Sequence, residues 1–193
     1  MLSLKNSLAV LRKTNALLDG HFVLSSGLHS PSYVQCAKLL SFPNKSEKFT
    51  KSLAIKIKKT FKNIDLILSP AMGGVVIGYE IGRVLKKETI FCERVDGKFK
   101  LRRGFNIKKN SRVLIVEDVI TTGKSSLECV ELIKKSKAKL VGFACLIDRS
   151  EHKKIKYKVI SQVKLEIPTY NKSNLPHHLK KIPITKPGSR FLK

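Results

Sequence analysis

Hydrophobic and polar positions change their spacing along the chain, and the spacing predicts where helices and strands lie. One face of a first helix, expected to end at Asp19-Gly20, is marked by leucines: Leu4, Leu8, Leu11 and Leu18. Residues 21–39 are predicted to form two short β segments around a turn marked by Gly and Pro. Pro43 opens a lysine-rich helix to about Phe61, with apolar residues at every fourth position.

From residue 64 onwards, apolar strands alternate with helices. The predicted strands are residues 64–69, 88–93, 112–118 and 139–148, and the predicted helices are residues 75–85 and 123–136. Strands that are apolar on both faces and separated by helices indicate a parallel, doubly wound sheet. The functional site of such a sheet lies at the carboxyl ends of its strands. The fold class is therefore α/β, and the proline-rich segment after the last strand is expected to wrap around it irregularly.

Composition predicts a globular cytoplasmic protein. The 193 residues are 42% hydrophobic, which suffices for one compact domain with a buried core. No apolar run approaches the length of a membrane-spanning helix. The N-terminus lacks the apolar block and small-residue cleavage site of a signal peptide. We therefore expect a cytoplasmic protein without a membrane partner.

The chain is strongly basic, with 39 Lys and Arg against 14 Asp and Glu and a net charge of +25. Such a balance is typical of proteins that bind nucleic acid, an anionic membrane or a polyanionic small molecule. The basic residues are spread over the chain instead of forming one terminal arm, and no helix-turn-helix precedes the sheet. We interpret them as solvated lysines whose field attracts an anionic substrate, and we expect no nucleic-acid partner.

Cysteine and histidine spacing predicts no metal site built from protein ligands. The cysteines are scattered without a Cys-x-x-Cys pair, so each is expected to be a small buried residue: Cys36, Cys92, Cys129 and Cys145. His152, His177 and His178 are expected on the solvated surface. His21 and His29 flank the turn between the two short β segments, but the sequence gives neither of them a partner.

Residues 113–126, VLIVEDVITTGKSS, carry the strongest chemical signal. Gly123-Lys124-Ser125 is typical of the end of a P-loop. A P-loop also needs a glycine five positions before Gly123, because its backbone bends around the phosphates. That position is Asp118, beside Glu117. Two carboxylates there would repel a polyphosphate, so the segment is not a P-loop.

The acidic pair and the turn that follows it predict a site for ribose 5-phosphate instead. The strand ends at Glu117 and Asp118, whose carboxylates can accept hydrogen bonds from two ribose hydroxyls. The turn leads into a helix N-terminus, where free amides and the positive dipole end suit one phosphate monoester, with hydroxyls from Thr121, Thr122 and Ser125. A helix cap would explain one acid, but it leaves the second acid, the two threonines and the glycine unexplained.

These residues resemble the phosphoribosyl diphosphate signature of type I phosphoribosyltransferases. Three further segments resemble the orotate phosphoribosyltransferase family: GHFVLSSGLHSPSYVQ at 20–35, SPAMGGVVIGYE at 69–80 and FCERVDGKFKLRRGF at 91–105. The similarity extends to the end of the sequence through CLIDRS at 145–150, IPTY at 167–170 and KPGSR at 186–190. It therefore covers nearly the whole chain.

The resemblance implies a fold and an activity. The fold is the type I phosphoribosyltransferase fold, with a mainly parallel doubly wound sheet and a small hood formed by the N-terminal segment and the C-terminal tail. It would be a single domain over residues 1–193, comprising a helix and hood at 1–40, an α/β core at 41–165 and a C-terminal wrap at 166–193. The activity is transfer of the 5-phosphoribosyl group from phosphoribosyl diphosphate (PRPP) to orotate, giving orotidine 5-phosphate and diphosphate in UMP biosynthesis. The implied cofactor is Mg²⁺, held mainly by oxygens of the substrate's diphosphate and ribose.

The resemblance also implies roles for individual residues. PRPP binding is implied for Gly73, Gly74, Arg94, Glu117, Asp118, Val119, Ile120, Thr121, Thr122, Gly123, Lys124 and Ser125. Orotate binding is implied for Ser26, Gly27, Tyr33, Thr121 and Arg149. A guanidinium such as that of Arg149 can hold a carboxylate through two parallel hydrogen bonds.

A basic segment with two glycines, residues 94–109, is implied to be a mobile lid that closes over diphosphate. Its candidate catalytic cations are Arg94, Lys98, Lys100, Arg102 and Arg103. In the family such a lid often serves the active site of the neighbouring subunit, so we expect a homodimer. Closure would exclude water, which otherwise competes as the nucleophile.

Departures and alternatives accompany this interpretation. Ser25 stands where many members of the family have lysine, and Met72-Gly73 replaces an aromatic-lysine pair. A solvated basic hairpin would also explain the lid sequence, and a surface arginine at a strand end would explain Arg149. The alternative functions are phosphoribosyl transfer to another base, such as a purine, and a nucleic-acid-binding regulator that senses PRPP.

Overall fold

The computed structural model describes residues 1–24, 26–150 and 155–185. The strands within these ranges are β1 Leu17–Val23, β2 His29–Val34, β3 Leu66–Pro70, β4 Glu88–Val95, β5 Lys98–Leu101, β6 Arg112–Ile120, β7 Lys139–Asp148, β8 Val159–Lys164 and β9 Ile184–Thr185. The helices are α1 Leu4–Lys13, α2 Cys36–Leu40, α3 Pro43–Thr60, α4 Gly73–Leu85, α5 Lys124–Lys135 and α6 His177–Lys180. Three sequence features lie outside the described residues: Ser25, His152 and the motif at 186–190.

A six-stranded sheet in the order β5-β4-β3-β6-β7-β8 forms the centre. Its neighbouring strands run parallel, except that β5 pairs antiparallel with β4. Helices α3 and α4 pack in the hydrophobic cluster on one face, and α5 packs in the cluster on the other. The mainly parallel, doubly wound sheet predicted from the sequence is confirmed.

The two-sided burial of the sheet explains why its strands are apolar throughout. Successive residues of a strand point to opposite faces. In β3, Ile67 lies in one cluster with Ile77 and Ile81 of α4, whereas Leu68 lies in the other cluster with Val130 of α5. All five side chains are almost fully buried. Both faces of β3 are therefore covered by helices, as parallel sheets require.

A second sheet of three strands, in the order β2-β1-β9, carries the N-terminal hairpin. The two short β segments predicted from the sequence are β1 and β2, which pair antiparallel. The predicted end of the first helix was wrong. Helix α1 stops at Lys13, Asn15 has a positive φ of 55°, and Leu18 lies in β1. Leu17 is buried and Leu18 only half-buried, which is the two-residue alternation of a strand.

Among the described residues, no helix is both long enough and apolar enough to span a bilayer.

Candidate active site

The carboxyl ends of β3 and β6 form the topological switch point of the sheet. These two strands are neighbours, and the chain leaves them in opposite directions, from β3 through α4 to β4 and from β6 through α5 to β7. Ligands of doubly wound sheets bind in the crevice that opens at such a point. The loop after β3 leads into α4 at Gly73 and Gly74, and the acidic pair lies near the end of β6, before the Thr-Thr-Gly turn. The fold thus brings together the two segments with the strongest predicted chemistry.

Glu117 and Asp118 are carboxylates in a largely dry environment. Glu117 is only 7% exposed. Burial first, and the neighbouring charge of Asp118 second, raise its pKa to about 8, although the Ser126 hydroxyl donates a hydrogen bond of 3.4 Å that acts in the opposite direction. Burial also raises the pKa of Asp118, although the amide of Val119 donates to its Oδ1 at 2.8 Å. Neither acid forms an ion pair with a cation of the described residues, which is what a site that receives a ligand would show.

The loop after β3 packs directly on Asp118. A Cβ atom at Gly73 would lie 2.8 Å from both carboxylate oxygens of Asp118, closer than real Cβ contacts. At Gly74 it would lie 3.0 Å from the carbonyl oxygen of Val116. The two glycines are therefore needed to let the loop backbone approach the end of β6.

The predicted phosphate cradle lies at the start of α5. Gly123 takes a positive φ of 73° immediately before the helix, and a Cβ there would lie 2.7 Å from Ile155. The first amides of a helix have no intrahelical partner and carry the positive end of its dipole. Thr121, Thr122 and Lys124 are exposed beside them. The turn is thus exposed at a helix N-terminus, where an anion could reach its free amides.

Two of the predicted PRPP-binding residues do not present their side chains to this turn. Ile120 is 1% exposed and belongs to the hydrophobic cluster under α5. Val119 is partly buried against the opposite cluster. The carbonyl of Ile120 accepts a hydrogen bond from the amide of Arg149 at 2.8 Å. These residues therefore offer the site only their backbone.

The predicted lid begins as the hairpin of β4 and β5. Asp96 and Gly97 both have positive φ, 53° and 76°, which is the two-residue turn that Asp-Gly favours. Cys92 of β4 pairs with Pro70, the last residue of β3, so the residues after Cys92 extend beyond the edge of the sheet. The hairpin therefore projects past the same edge that carries the acidic pair.

The five candidate lid cations divide by their partners. Arg94 forms an ion pair of 2.7 Å with Glu128 of α5, and Arg103 donates twice to Glu93 at 3.0 and 3.1 Å. Lys100 lies 3.4 Å from Asp96. The exposed side chains of Lys98 and Arg102 form no ion pair within the described ranges. A solvated hairpin and a lid both fit this geometry. Lys98 and Arg102, the two cations without an ion pair in these ranges, are the side chains most available to an incoming anion.

Arg149 follows β7 at the same edge. Its Nε is buried and has no hydrogen-bond partner among the described residues. Burial lowers the pKa of its guanidinium, and Tyr33 is close enough to act on that pKa in the opposite direction. An orphaned buried donor on a cation is costly unless a ligand satisfies it. This geometry is expected of an arginine that binds an anionic group and is not expected of a surface arginine.

The structure brings Tyr33 near Arg149, whereas Ser26 and Gly27 lie in the loop between β1 and β2. The Tyr33 ring contacts Phe22, with 5.8 Å between centroids. Gly27 has a positive φ of 81°, and Ser26 accepts a long hydrogen bond of 3.5 Å from the amide of Leu28. Within the described residues, no hydrogen bond joins either loop residue to Arg149. Of the three predicted residues, Tyr33 is therefore the one that the structure relates to Arg149.

Two buried pairs were not predicted from the sequence. Nδ1 of His21 lies 3.2 Å from the carbonyl of Ile182, and its Nε2 lies 2.6 Å from Nδ1 of His29. The sulfurs of Cys92 and Cys129 lie 3.3 Å apart. The histidine pair joins the N-terminal hairpin to the C-terminal tail. The hairpin itself was the signal, because pairing its two strands places residues that flank the turn side by side.

Comparison with known proteins extends these observations. A family model for the phosphoribosyl transferase domain matches residues 43–181. The chain is 49% identical over 182 residues to an orotate phosphoribosyltransferase of Parvibaculum lavamentivorans, covering 93% of this chain and 94% of that protein. The crystal structure of orotate phosphoribosyltransferase from Aeropyrum pernix is similar with a TM-score of 0.70 at 24% identity, over 82% of this chain and 93% of that one. Adenine phosphoribosyltransferase from Saccharomyces cerevisiae is similar with a TM-score of 0.65 at 18% identity, over 81% and 99% of the two chains, which shows a shared fold alone.

Proposed function

Because the chain belongs to the phosphoribosyl transferase family, we propose that it transfers the 5-phosphoribosyl group of PRPP to orotate, giving orotidine 5-phosphate and diphosphate. This pentosyl transfer is the reaction named for its relative, which is 49% identical over 93% of the chain. The resemblance to the orotate phosphoribosyltransferase family is thereby confirmed, and the reaction belongs to pyrimidine biosynthesis. The observation that carries the proposal is the pair of a buried Glu117 and a half-buried Asp118, close before an open helix N-terminus at the switch point of the sheet.

The donor's ribose and phosphate fit the two halves of this turn. Carboxylates of Glu117 and Asp118 accept hydrogen bonds from the two ribose hydroxyls. The amides at the start of α5 bind the 5-phosphate, and the hydroxyls of Thr121, Thr122 and Ser125 add donors. The loop at Gly73 packs against Asp118 and so fixes where the ribose can lie.

The chemical step requires stabilisation of a leaving anion. As the ribose C1 loses diphosphate, the ring gains cationic character and negative charge builds on the leaving group. Cations aimed at that group stabilise the transition state more than a general base would. Lys98 and Arg102, exposed and without ion pairs among the described residues, are the side chains most available for this role. Arg94, Lys100 and Arg103 can join them by exchanging carboxylate partners for diphosphate oxygens.

Magnesium fits this site as a substrate-held cofactor. Among the described residues, no cluster of three or more His, Cys, Asp or Glu side chains could hold a metal. Glu117 and Asp118 supply only two carboxylates, and Mg²⁺ commonly keeps most of its ligands from water and substrate phosphates. When bound, the ion supplies positive charge to the developing diphosphate. Glu117 and Asp118 would contribute by orienting the ribose that carries the ion's diphosphate partner.

Orotate binding is assigned to Arg149 and Tyr33. The buried, unpartnered Nε of Arg149 supports a role in holding the orotate carboxylate, because that ligand would satisfy the orphaned donor. Tyr33 lies beside it, and Thr121 is at the adjacent strand end. Ser26 and Gly27 in the loop above are assigned to the hood over the base. This set predicts discrimination against bases that lack a carboxylate.

A homodimer is part of the proposal. The exposed face of α4 and the loop before it carries Met72 at 83%, Val76 at 49% and Tyr79 at 64% exposure. Large apolar side chains that lie together on one surface are typical of a protein interface. A second copy on this face, next to the loop that packs on Asp118, would place its lid near this active site.

The direct test is orotate consumption, followed by ultraviolet absorbance with PRPP and Mg²⁺. The wild type is compared with Asp118→Asn, Arg149→Ala and the matched surface variant Arg12→Ala, whose exposed pair with Asp19 contributes little. We expect turnover in the wild type and in Arg12→Ala, and a loss of about 100-fold or more in the other two. Turnover with adenine that survives Arg149→Ala would support transfer to a purine instead. No turnover with any base would favour a regulator that senses PRPP.

A further inference from the structure

The fold gathers basic residues at the amino-terminal edge of the main sheet, opposite the candidate active site. Helix ends and loops that lead into β3, β4, β6, β7 and β8 all meet at this edge, because the strands are parallel. The segments are 58–65, 86–88, 106–112, 134–139 and 155–158. Together they hold fourteen lysines and arginines and two acids, a net charge of +12 out of the chain's +25. We call this surface the basic edge.

Backbone hydrogen bonds show that the segments of the basic edge are in contact. The amide of Asp65 donates to the carbonyl of Arg112 at 2.9 Å. Farther along the edge, the amide of Asn110 donates to the carbonyl of Lys137 at 3.0 Å, and that of Phe143 to Lys158 at 2.9 Å. Residues that are far apart in the sequence therefore form one continuous surface.

A cavity of about 490 Å³ lies within the basic edge. Four cations line it together with apolar side chains and one threonine: Thr60, Phe61, Lys62, Arg112, Lys139, Leu140, Val141 and Lys158. Among the described residues, no carboxylate lines it. Phe61 is 8% exposed, and Leu140 and Val141 are half-buried, so they form an apolar floor beneath the lysine side chains.

The four cations of the cavity differ in whether other groups of the protein hold their side chains in place. Arg112 is fixed, since its guanidinium donates to the carbonyls of Asn63 at 2.9 Å and Lys62 at 3.1 Å. Lys62, Lys139 and Lys158 are exposed and form no ion pair within the described part of the chain. Three exposed ammonium groups and one anchored guanidinium therefore line the cavity, and none of the three ammonium groups has a carboxylate partner among the described residues.

The favourable interaction of lysine with helix C-termini explains only part of the basic edge. It applies to Lys58 and Lys59 in the last turn of α3, and to Lys134 and Lys135 in the last turn of α5. The lysines of the cavity lie outside the helices. Their concentration around an apolar floor needs a different explanation.

We propose that this cavity binds single-stranded nucleic acid. Phosphodiester groups would lie against Lys62, Lys139, Lys158 and Arg112, and sugars would lie on the apolar floor; a positively charged groove that follows the backbone is typical of sequence-independent single-strand sites. The adjoining cations of the basic edge continue the positive surface beyond the cavity, which favours an extended polyanion over a single small anion. The sequence predicted no nucleic-acid partner because its basic residues are scattered, and the fold brings them together.

This site is independent of the proposed enzyme activity. The nine residues of β6 separate the two edges of the sheet by about 30 Å. Failure of either proposal therefore leaves the other intact, and a phosphoribosyl transfer assay serves as the check that variants of the basic edge are folded.

The test compares two triple variants with the same change in charge. Lys62→Glu/Lys139→Glu/Lys158→Glu alters the cavity, and Lys5→Glu/Lys13→Glu/Lys48→Glu alters exposed lysines of α1 and α3 away from it. Binding of fluorescein-labelled 12-nucleotide oligo(U) and oligo(dT) is measured by anisotropy at several salt concentrations. We expect the cavity variant to bind at least tenfold more weakly, with a log Kd against log salt slope that is smaller by about 2, since each lost phosphate contact removes about 0.7. The control should change much less.

Three results would overturn the proposal. The first is equal weakening in both variants, which would reflect net charge alone. The second is absence of salt-dependent oligonucleotide binding by the wild type. The third is equal competition by poly-glutamate of the same charge, because carboxylates would then serve as well as phosphodiesters. If the glutamate variant fails to fold, the corresponding glutamine variant applies the same comparison with half the change in charge.

Discussion

Binding of the PRPP ribose is expected to drive a proton off Glu117. Its pKa of about 8 follows first from burial and then from the neighbouring charge of Asp118. At pH 7 the free protein would therefore carry this proton in about nine-tenths of molecules. A ribose hydroxyl that donates a hydrogen bond favours the carboxylate form, so binding lowers the pKa. Affinity at pH 7 should be about tenfold weaker than well above pH 8, a difference of about 1.4 kcal/mol.

Calorimetric titration with PRPP and Mg²⁺ at a fixed pH, in two buffers of different ionisation enthalpy, counts the protons released. The matched protein is Glu117→Gln, which keeps the side-chain shape but cannot ionise. The phosphates of the ligand titrate in both experiments, so the difference between the two proteins belongs to Glu117. We expect a difference of about 0.9 proton at pH 7, about 0.5 at pH 8 and about 0.1 at pH 9.

An equal proton count for both proteins at pH 7 would refute this reasoning. It would mean either that Glu117 is already ionised in the free protein, or that it stays protonated and donates to the ribose. An affinity that does not change with pH, beyond the change shared with Glu117→Gln, would lead to the same conclusion.

Three further outcomes are expected. In thermal melts, Glu117→Gln should stabilise the free protein more at pH 8 than at pH 5. The raised pKa of Glu117 makes the stability of the wild type fall as pH rises from 4.5 towards 8, by at most about 5 kcal/mol, and the glutamine removes this loss. A stability difference between the two proteins that does not depend on pH would contradict this. Gly73→Ala should raise the KM for PRPP at least about tenfold and leave the melting temperature nearly unchanged, because its Cβ would displace the Asp118 carboxylate; an unchanged KM would show that the loop yields freely. In urea unfolding, His29→Leu should cost about 1–3 kcal/mol and His29→Asn less, because the Asn amide can replace the donor to His21 Nε2; equal losses would exclude this hydrogen bond as the cause.

The sequence was sufficient for features that depend on local pattern. The buried strands β3, β6 and β7 are apolar runs of strand length bounded by turn residues, and α3 shows its buried face at every fourth position. The acidic pair and the turn after it are contiguous, so their chemistry could be predicted before their position at the switch point was known. In contrast, the prediction that Leu18 is helical is wrong. The leucines of α1 are followed by further leucines at the start of β1, so hydrophobicity alone does not mark the end of the helix.

Features that depend on long-range pairing could not be predicted in the same way. The hydrogen bond from His21 to the carbonyl of Ile182 joins residues far apart in the chain, and no local pattern indicates it. The turn at Asp96-Gly97 is local, since Asp-Gly is a strong hairpin signal. The ion pair of Arg94 with Glu128 is not local, because predicting it requires knowing where α5 lies relative to the hairpin. The same limit applied to the basic edge, whose cations lie in five separate segments.

The two edges of the sheet differ in how their cations are balanced, and this difference bears on lid closure. At the carboxyl edge, Arg94 and Arg103 are paired with Glu128 and Glu93 in the free protein. Their side chains remain partly exposed, and such pairs typically contribute no more than about 1 kcal/mol. Diphosphate offers more charge than a single carboxylate, so exchanging partners would cost little and gain a stronger ion pair. The lid can therefore keep its cations ordered before the donor binds and still release them to the leaving group.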